Sequence, residues 1–280
     1  MTTKKLTQAA QWIGSANALI VAAGAGIGVD SGMPDFRSDN GFWRAYPALA
    51  RGHIKFEAMA SMSQFEHDPH RAWGFYGHRL NMYRETEPHE GFRHLKTWCD
   101  AMPNGHFVYT SNVDGHFQKA GFSEDRIFEC HGSIHALQCL RHCNDLIWPA
   151  NGFVPEVDAE NCRLLSPLPL CAQCGAVARP NILMFEDYSW NNHRSDLQHA
   201  RMNGWLNQVG FERGGVLVLE IGAGRALPAV RGFSERMKQR GAKLIRINLN
   251  EANDVLTPNH VELAMGARDA LEAIASRLGP

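Results

Sequence analysis

A short apolar run that ends in closely spaced glycines constrains this chain more than any other feature. Leu19-Ile20-Val21 can end a buried strand, and Gly24, Ala25, Gly26 and Gly28 follow it at once. Glycines allow a sharp turn that brings backbone N–H groups close to a ligand, and a following helix N-terminus favours an anion. The order predicts a phosphate-binding loop in an α/β fold, although the same glycines also suit a plain turn between strand and helix.

Charged and aromatic side chains follow the glycine loop directly. Residues 34–37, Pro-Asp-Phe-Arg, supply a carboxylate at Asp35, an aromatic face at Phe36 and a guanidinium at Arg37. Core packing does not require this combination in a loop. We therefore interpret these three side chains as part of a cofactor site that also includes Gly24 and Ala25 with the neighbouring Gly26.

The run that begins at Gly24, GAGIGVDSGMPDFRSDNGFW, resembles the first signature of the sirtuins, the NAD-dependent protein deacylases. Two positions differ from the usual family sequence, because Ala23 stands where Thr is common and Gly28 where Ser is common. Each difference removes a hydroxyl beside the cofactor loop. The resemblance implies NAD as the cofactor and an acyl-lysine protein or peptide as the substrate.

The overall composition argues against other classes of partner. The chain has 280 residues, 44% of them hydrophobic, and a formal net charge of -1, so no general basic surface is available for nucleic acid. No apolar run approaches the ~20 residues that cross a bilayer, and the first residues do not have the pattern of a signal peptide. We expect a cytoplasmic protein with neither a nucleic-acid nor a membrane partner.

The segment from Phe56 to Tyr83 predicts two helices separated near Asp68-Pro69. The second helix places Tyr76 and Arg79 one turn apart on a mainly apolar face. One interpretation is that Arg79 covers core aromatic side chains and extends its charged end into water. The other comes from the resemblance of Phe-Tyr-Gly-His-Arg to the F-Y-x-x-R of sirtuins that remove succinyl and malonyl groups, in which Tyr76 and Arg79 would bind the acyl carboxylate.

An amide and a carboxylate follow the predicted strand 107–110, at Asn112 and Asp114. The carboxyl end of a parallel strand is where open α/β sheets place ligands, although an Asx turn would give the same residues. The stretch resembles the sirtuin motif T-Q-N-I-D, with Ser111 in place of Gln. The resemblance implies that Asn112 and Asp114 line the pocket for nicotinamide.

Two further motifs match the family in the same order. His131-Gly132 matches the H-G whose histidine is the general base, and an unperturbed imidazole, with a pKa of ~6.5, accepts a proton near neutral pH. Residues 179–187 resemble R-P-x-V-V-x-F-G-E, a segment that pairs with the substrate as an added strand, with Glu186-Asp187 in place of Gly-Glu. The implied substrate-binding residues are Ile182, Met184 and Phe185.

A second glycine turn follows the apolar strand predicted at 216–219. A helix at about 226–240 and a strand at 243–249 come next, which makes a βαβ unit with Asn248 where ribose hydroxyls are commonly held. Sirtuins usually have G-T-S and I-N at these places. The resemblance implies cofactor contacts from Gly222, Ala223, Gly224 and Asn248.

Four of the seven cysteines form two close pairs, which predicts a tetrahedral structural zinc site rather than disulfides. The predicted ligands are Cys139, Cys143, Cys171 and Cys174. His142 and Cys162 are alternatives for one ligand. Sirtuins carry a four-cysteine zinc module directly after the H-G motif.

We expect one sirtuin-like catalytic core over residues 1–280, of class α/β, with a Rossmann-like parallel sheet lobe and a smaller lobe that is helical and binds zinc. The large lobe is predicted at about 1–45, 90–135 and 180–280. The small lobe is predicted from a helical insertion at about 46–89 and the zinc module at about 136–179.

The expected activity is NAD-dependent protein lysine deacylation, in which the acyl group passes to ADP-ribose and nicotinamide is released. A preference for acidic acyl groups follows if the F-Y-x-x-R motif has the role it has in the family. The alternatives are protein mono-ADP-ribosylation, NAD hydrolysis as a sensor or defence domain, and NAD binding without catalysis.

Overall fold

The structure is a computed structural model, and it describes residues 2–34, 43–44, 46–211, 215–253 and 255–278. Asp35, Phe36 and Arg37, which are predicted to bind the cofactor, lie outside the described residues. None of the helices in the described ranges is long and apolar enough to cross a membrane. The cytoplasmic location and the absence of a nucleic-acid partner stay predictions.

The described helices and strands have the following bounds. The helices are α1 Thr2–Ser15, α2 Pro47–Arg51, α3 Phe56–Met59, α4 Met62–His67, α5 Pro69–Glu85, α6 Glu90–Asp100, α7 His116–Lys119, α8 His193–Val209, α9 Ala229–Gln239 and α10 Ala267–Leu278. The strands are β1 Ala18–Ala23, β2 His106–Thr110, β3 Ile127–Glu129, β4 Gly132–Cys139, β5 Ile147–Pro149, β6 Val157–Asp158, β7 Arg163–Leu164, β8 Ala178–Ile182, β9 Val216–Ile221, β10 Lys243–Ile247, β11 Leu256–Thr257 and β12 His260–Leu263.

Seven strands form the main sheet, in the order β11-β12-β10-β9-β1-β2-β3. The pairs from β12 to β3 are parallel, and β11 pairs antiparallel with β12. The chain order proceeds outward in opposite directions from β1 and β9, so the loops after these two strands diverge and leave a crevice between them. This sheet confirms the predicted α/β class with a Rossmann-like parallel sheet.

Helices cover both faces of this sheet. Leu19 and Val21 of β1 pack in one apolar cluster with side chains of α1, α6 and α10. Ile20 and Ala22 point to the opposite face and pack with side chains of α8 and α9. Because both faces are covered, all six residues of β1 are buried, and the strand is apolar along its whole length.

A row of buried charges crosses three strands of the sheet. Arg246 of β10 is in register with Glu220 of β9 and Glu262 of β12. Its guanidinium donates to both carboxylates, and it lies 2.9 Å from Glu262 and from Glu235 of α9. Buried charges persist in a core only when they are paired in this way.

A second sheet is antiparallel, in the order β5-β4-β8. Ile134 and Leu137 of β4 pack in a separate apolar cluster with Trp73 and Tyr76 of α5. The segment predicted as two helices forms three, α3, α4 and α5, and the predicted break near Asp68-Pro69 is confirmed. The N–H of Arg71 donates to the Asp68 carboxylate at 3.1 Å, so Asp68 caps α5. The predicted lobe boundaries stay predictions.

The two glycine loops after β1 and β9 are in contact, backbone to backbone. The N–H of Gly24 donates to Ile221 O at 2.9 Å, and that of Gly26 to Gly222 O at 3.0 Å. Gly222 has a φ of 63°, and a Cβ at this residue would lie 2.3 Å from the nitrogen of Ile27. These loops therefore approach closely only because side chains are absent.

Gly222→Ala tests this contact, with Gly204→Ala as the matched control. We expect Gly222→Ala to lower the free energy of unfolding by roughly 2–5 kcal/mol, since it adds overpacking to an unfavourable φ. Gly204 lies inside α8, where a Cβ would have no neighbour within 4 Å. Its replacement by Ala should raise stability by about 0.5–1 kcal/mol. Urea unfolding measures both, and equal effects would contradict the importance of the loop contact.

Candidate active site

A cavity of about 540 Å³ opens beside the carboxyl ends of β1 and β2. It brings together residues predicted from separate motifs across the sequence. The predicted site residues that line it are Ala25, Tyr76, Arg79, Asn112, Asp114, His131, Ile182, Met184 and Phe185. Ser111, which stands in place of the family Gln, is also part of the lining.

The other predicted cofactor residues with described positions lie outside this lining: Gly24, Gly26, Gly222, Ala223, Gly224 and Asn248. The side chain of Asn248 makes hydrogen bonds to neighbouring loops of the protein. Its Nδ2 donates to Ala223 O at 3.0 Å, and its Oδ1 accepts the N–H groups of Asn250 and Glu251. Asn248 thus holds the loop after β9 in place, and its contact with a ribose stays a prediction.

Ala25 supplies a backbone donor at the cavity wall. The N–H groups of Gly24, Gly26 and Gly28 donate to Ile221 O, Gly222 O and Ala25 O respectively. Within the described ranges the N–H of Ala25 has no hydrogen-bond acceptor, and this residue lines the cavity. A backbone donor at the end of β1, beside an amide and a carboxyl group, fits the phosphate and amide groups of a dinucleotide.

The loop after β2 is attached to the glycine loop by hydrogen bonds. Asn112 Nδ2 donates to Gly24 O at 3.1 Å. The hydroxyl of Thr110 donates to Ala23 O at 3.0 Å and accepts the N–H of Asn112 at 3.0 Å. Thr110 positions Asn112, and sequence analysis missed this role because the residue reads as the last position of an apolar strand.

Asp114 is buried beside a neutral histidine. The N–H of His116 donates to Asp114 Oδ1 at 2.9 Å, so the Asx turn considered from the sequence is present. Burial raises the pKa of Asp114, and the opposing effects of the His116 ring and N–H do not cancel that rise. Burial lowers the pKa of His116, whose two ring nitrogens have no partner among the described residues. The cavity thus contains a carboxyl group whose charge is costly.

His131 lies between β3 and β4, where the two sheets meet. Its carbonyl accepts the N–H of Leu183 at 3.0 Å. The following Gly132 has a φ of 79°, and a Cβ there would lie 2.0 Å from Asn181 O. The H-G sequence is therefore required by the close approach of β4 and β8, and it fixes the backbone of His131 beside the cavity.

Tyr76 and Arg79 lie together on one wall of the cavity. Burial raises the pKa of Tyr76 to about 12, so its hydroxyl is neutral at physiological pH, and it has no hydrogen-bond partner among the described residues. Arg79 Nε and Nη2 donate to the hydroxyl of Tyr83 at 3.0 and 2.8 Å. The guanidinium also lies 5.1 Å from the ring centroid of Phe75. Tyr83, which the sequence indicated only as a core residue, orients Arg79.

The loop after β8 uses most of its backbone donors internally. The N–H groups of Leu183, Met184 and Phe185 donate to His131 O, to an Asp187 carboxylate oxygen and to Ala60 O. Within the described part of the chain, the N–H of Glu186 has no acceptor. The N–H groups of Asp187 and Tyr188 also have no acceptor there. Strand pairing between a substrate and Ile182, Met184 and Phe185 stays a prediction, and the three residues that follow Phe185 offer free backbone donors.

Asp187 holds this loop in place through a buried ion pair. Its carboxylate accepts two hydrogen bonds from Arg179, at 2.8 and 2.9 Å, and both side chains are completely buried. It also accepts the N–H of Ser189 at 3.1 Å. The second residue of the Glu-Asp pair therefore points into the protein and fixes the direction of the loop.

The four predicted cysteine ligands form one cluster. The Sγ atoms lie 3.6 Å apart between Cys139 and Cys174 and between Cys143 and Cys171. All four lie within 4.8 Å of one another. Zinc–sulfur bonds of about 2.3 Å in a tetrahedron require sulfur separations of about 3.8 Å, so the cluster fits a structural zinc ion. Cys162, one of the alternatives, is buried in the apolar cluster around α5.

Comparisons with known proteins agree with this geometry. The Sir2 family model matches residues 24–204. A probable bifunctional ADP-ribose hydrolase/ADP-ribosyltransferase of Fusarium oxysporum f. sp. cubense is 29% identical over 257 residues, which are 87% of this chain but only 42% of that relative. An NAD-dependent protein deacylase of Thermococcus kodakarensis is 29% identical over 253 residues, which are 90% of this chain and 87% of the relative.

Solved structures share the fold. A complex of a Sir2 homolog with NAD has a TM-score of 0.71 at 21% identity, and the match covers 96% of this chain and 93% of that chain. Sir2Tm bound to a propionylated peptide has a TM-score of 0.66 at 19% identity, with 98% and 97% of the two chains covered. The family resemblance seen in the motifs is confirmed by these comparisons.

The burial of Asp114 predicts that Asp114→Asn stabilises the protein at neutral pH. An acid whose pKa is raised by folding costs stability above that pKa, and the cost disappears as pH falls below the unfolded value of ~3.9. Asn keeps an oxygen for the His116 N–H. We expect a higher thermal midpoint at pH 8, where 1 kcal/mol corresponds to roughly 2–4 °C, and a smaller gain at low pH. A lower midpoint at pH 8 would show that the carboxylate is stabilising.

Proposed function

The chain belongs to the Sir2 family, and we propose that it is an NAD-dependent protein deacylase that transfers the acyl group of a modified lysine to ADP-ribose. The observation that carries this proposal is the single cavity shared by His131, Asn112 and Asp114. Asn112 and Asp114 come from the loop after β2, and His131 comes from the connection between β3 and β4. Their meeting in one cavity is what a reaction between two bound substrates requires.

The described residues fit NAD, as the donor set around Ala25 and Asn112 indicates. When bound, NAD supplies the ADP-ribose that receives the acyl group, with nicotinamide as the leaving group. The loop after β1 would hold the phosphates, and Asn112 and Asp114 would hold the nicotinamide amide. The raised pKa of Asp114 suits this role, because a carboxyl group that is easily protonated can donate as well as accept a hydrogen bond.

His131 is the proposed general base. Its imidazole accepts a proton from a ribose hydroxyl, which increases the nucleophilicity of that oxygen toward the acyl carbon. The close contact at Gly132 fixes the backbone of His131, and His131 lines the cavity before any substrate binds. The four-cysteine cluster would hold zinc and stabilise the fold, with no part in proton transfer.

The acyl-lysine is proposed to enter between the loop after β8 and the helices α3 and α5. Ile182, Met184 and Phe185 offer an apolar passage for the lysine methylene groups. Tyr76 and Arg79 lie on the wall of the same cavity and offer a hydroxyl and a guanidinium. A carboxylate at the end of the acyl chain would accept hydrogen bonds from both, so we infer a preference for succinyl-lysine and malonyl-lysine.

His131→Ala tests the proposed base. We expect turnover to fall by a factor of about 10²–10⁴, because proton transfer loses its acceptor, while NAD and peptide still bind. Mass spectrometry of the products measures the loss of O-acyl-ADP-ribose, and calorimetric titration measures the binding. Activity within tenfold of the wild type would remove His131 from the mechanism.

The same product analysis separates the alternatives in the wild-type protein. O-acyl-ADP-ribose supports deacylation. An ADP-ribosyl adduct on protein would assign the transferase activity, and free ADP-ribose without acyl transfer would assign NAD hydrolysis. The first alternative corresponds to part of the printed activity of the Fusarium relative, of which this chain spans 42%.

Arg79→Met tests the acyl preference, since Met keeps the bulk and removes the charge. A charge-assisted hydrogen bond contributes ~1.5–3 kcal/mol, so kcat/KM on succinyl-lysine should fall roughly ten- to hundredfold, and that on acetyl-lysine much less. Paired assays of the two peptides measure the ratio, and a thermal melt serves as the control for folding. An equal fall of kcat/KM on both peptides would show that Arg79 contributes to packing and not to acyl recognition.

A further inference from the structure

The rim of the cavity carries two exposed side chains on a loop of fixed direction. Asp187 is held by its buried ion pair with Arg179, so the residues on either side of it cannot turn inward together with it. Those neighbours, Glu186 and Tyr188, both line the cavity and are both exposed. Their position at the mouth is thus a consequence of the anchor between them.

Glu186 occupies a backbone conformation that its residue type disfavours. Its φ is 55°, in the left-handed region that glycine adopts without strain, and sirtuins have Gly at this place in the motif. Strained conformations of this kind concentrate at functional sites. Within the described ranges, the Glu186 carboxylate makes no hydrogen bond or ion pair that would explain its presence.

Tyr188 presents an aromatic ring entirely to solvent. The residue is 99% exposed, and its ring contacts no other aromatic ring of the described chain. Burial of the ring against the protein would ordinarily lower its free energy, so an exposed ring at a cavity mouth is suited to a ligand. The two neighbours of Asp187 thus offer a carboxylate and an aromatic face at the mouth of the same cavity.

We propose that Glu186 and Tyr188 form a subsite for a cationic side chain of the substrate, a Lys or Arg close in sequence to the acyl-lysine. A carboxylate attracts a cation by charge, and the face of an aromatic ring attracts it through its quadrupole. A neutral side chain gains neither interaction, and an acidic one is repelled. The inference rests on the proposed function, because the cationic side chain belongs to the same peptide as the acyl-lysine that enters the cavity.

The backbone of the loop around Glu186 also favours a bound peptide at the rim of the cavity. The N–H groups of Glu186, Asp187 and Tyr188 have no acceptor within the described chain, so this part of the loop can bond to a peptide backbone. A peptide strand that bonds to it would pass directly beside the two side chains, since strand addition places alternate side chains against the receiving edge. The subsite therefore reads a side chain near the modified lysine rather than a distant one.

The test uses acyl-lysine peptides that are identical except for Arg, Gln or Glu on either side of the modified lysine. The ratio of kcat/KM for the Arg and Glu peptides is measured for the wild type, Glu186→Gln, Glu186→Lys and Tyr188→Ala. We expect a wild-type ratio of about five to ten at low salt, since exposed charge contacts are individually weak, and a smaller ratio at high salt. Glu186→Gln should bring the ratio close to one, and Glu186→Lys should invert it.

Glu272→Gln is the matched control, because it removes the same charge from α10, which packs on α1 and α6 at the sheet. Its ratio should equal that of the wild type. Equal turnover of all three peptides by the wild type, or an unchanged ratio in Glu186→Gln, would overturn the subsite and leave the deacylase function standing. If no peptide is turned over, the proposed function fails, and fluorescence anisotropy with the same labelled peptides still decides whether the rim selects a cation.

Discussion

The backbone contact between the two glycine loops is the constraint on which the rest of the site depends. Gly24 and Gly26 donate to carbonyls at the end of β9, at distances that a Cβ on Gly222 would prevent. This contact closes the bottom of the crevice at the switch point of the sheet. The loop after β2 is then attached to it through Asn112, so the side of the cavity that contains Asn112 and Asp114 takes its position from the same glycines.

Much of the fold and of the candidate site could be predicted from the sequence, for a physical reason. His131, Asn112 and Asp114 each stand beside a glycine or at the end of an apolar strand, and such positions are determined by local backbone geometry. The four cysteines follow the same logic, because the ligands of structural zinc sites typically occur in close pairs. Patterns of this kind can be recognised within a few residues of sequence. The fold then brings the residues of the separate patterns together.

The features that were missed depend on partners that only the fold brings together. Tyr83 looked like one more aromatic residue of an apolar helix face, and its hydrogen bonds to Arg79 depend on side-chain orientation. The row formed by Arg246 with Glu220 joins neighbouring strands that are 26 residues apart in the chain. One miss is local instead: the predicted helix at 226–240 begins at Ala229, because Pro228 disfavours a helical conformation in the residue before it.

One continuous strand connects the proposed base with the cysteine cluster. β4 begins at Gly132, directly after His131, and ends at Cys139, the first of the four thiols. A metal bound by the four cysteines would thus hold the far end of the strand that follows the proposed base. The specific activity of a purified batch would consequently report its zinc occupancy as well as its catalytic competence. Purification tags or buffers that compete for zinc would then imitate a defect in the active site.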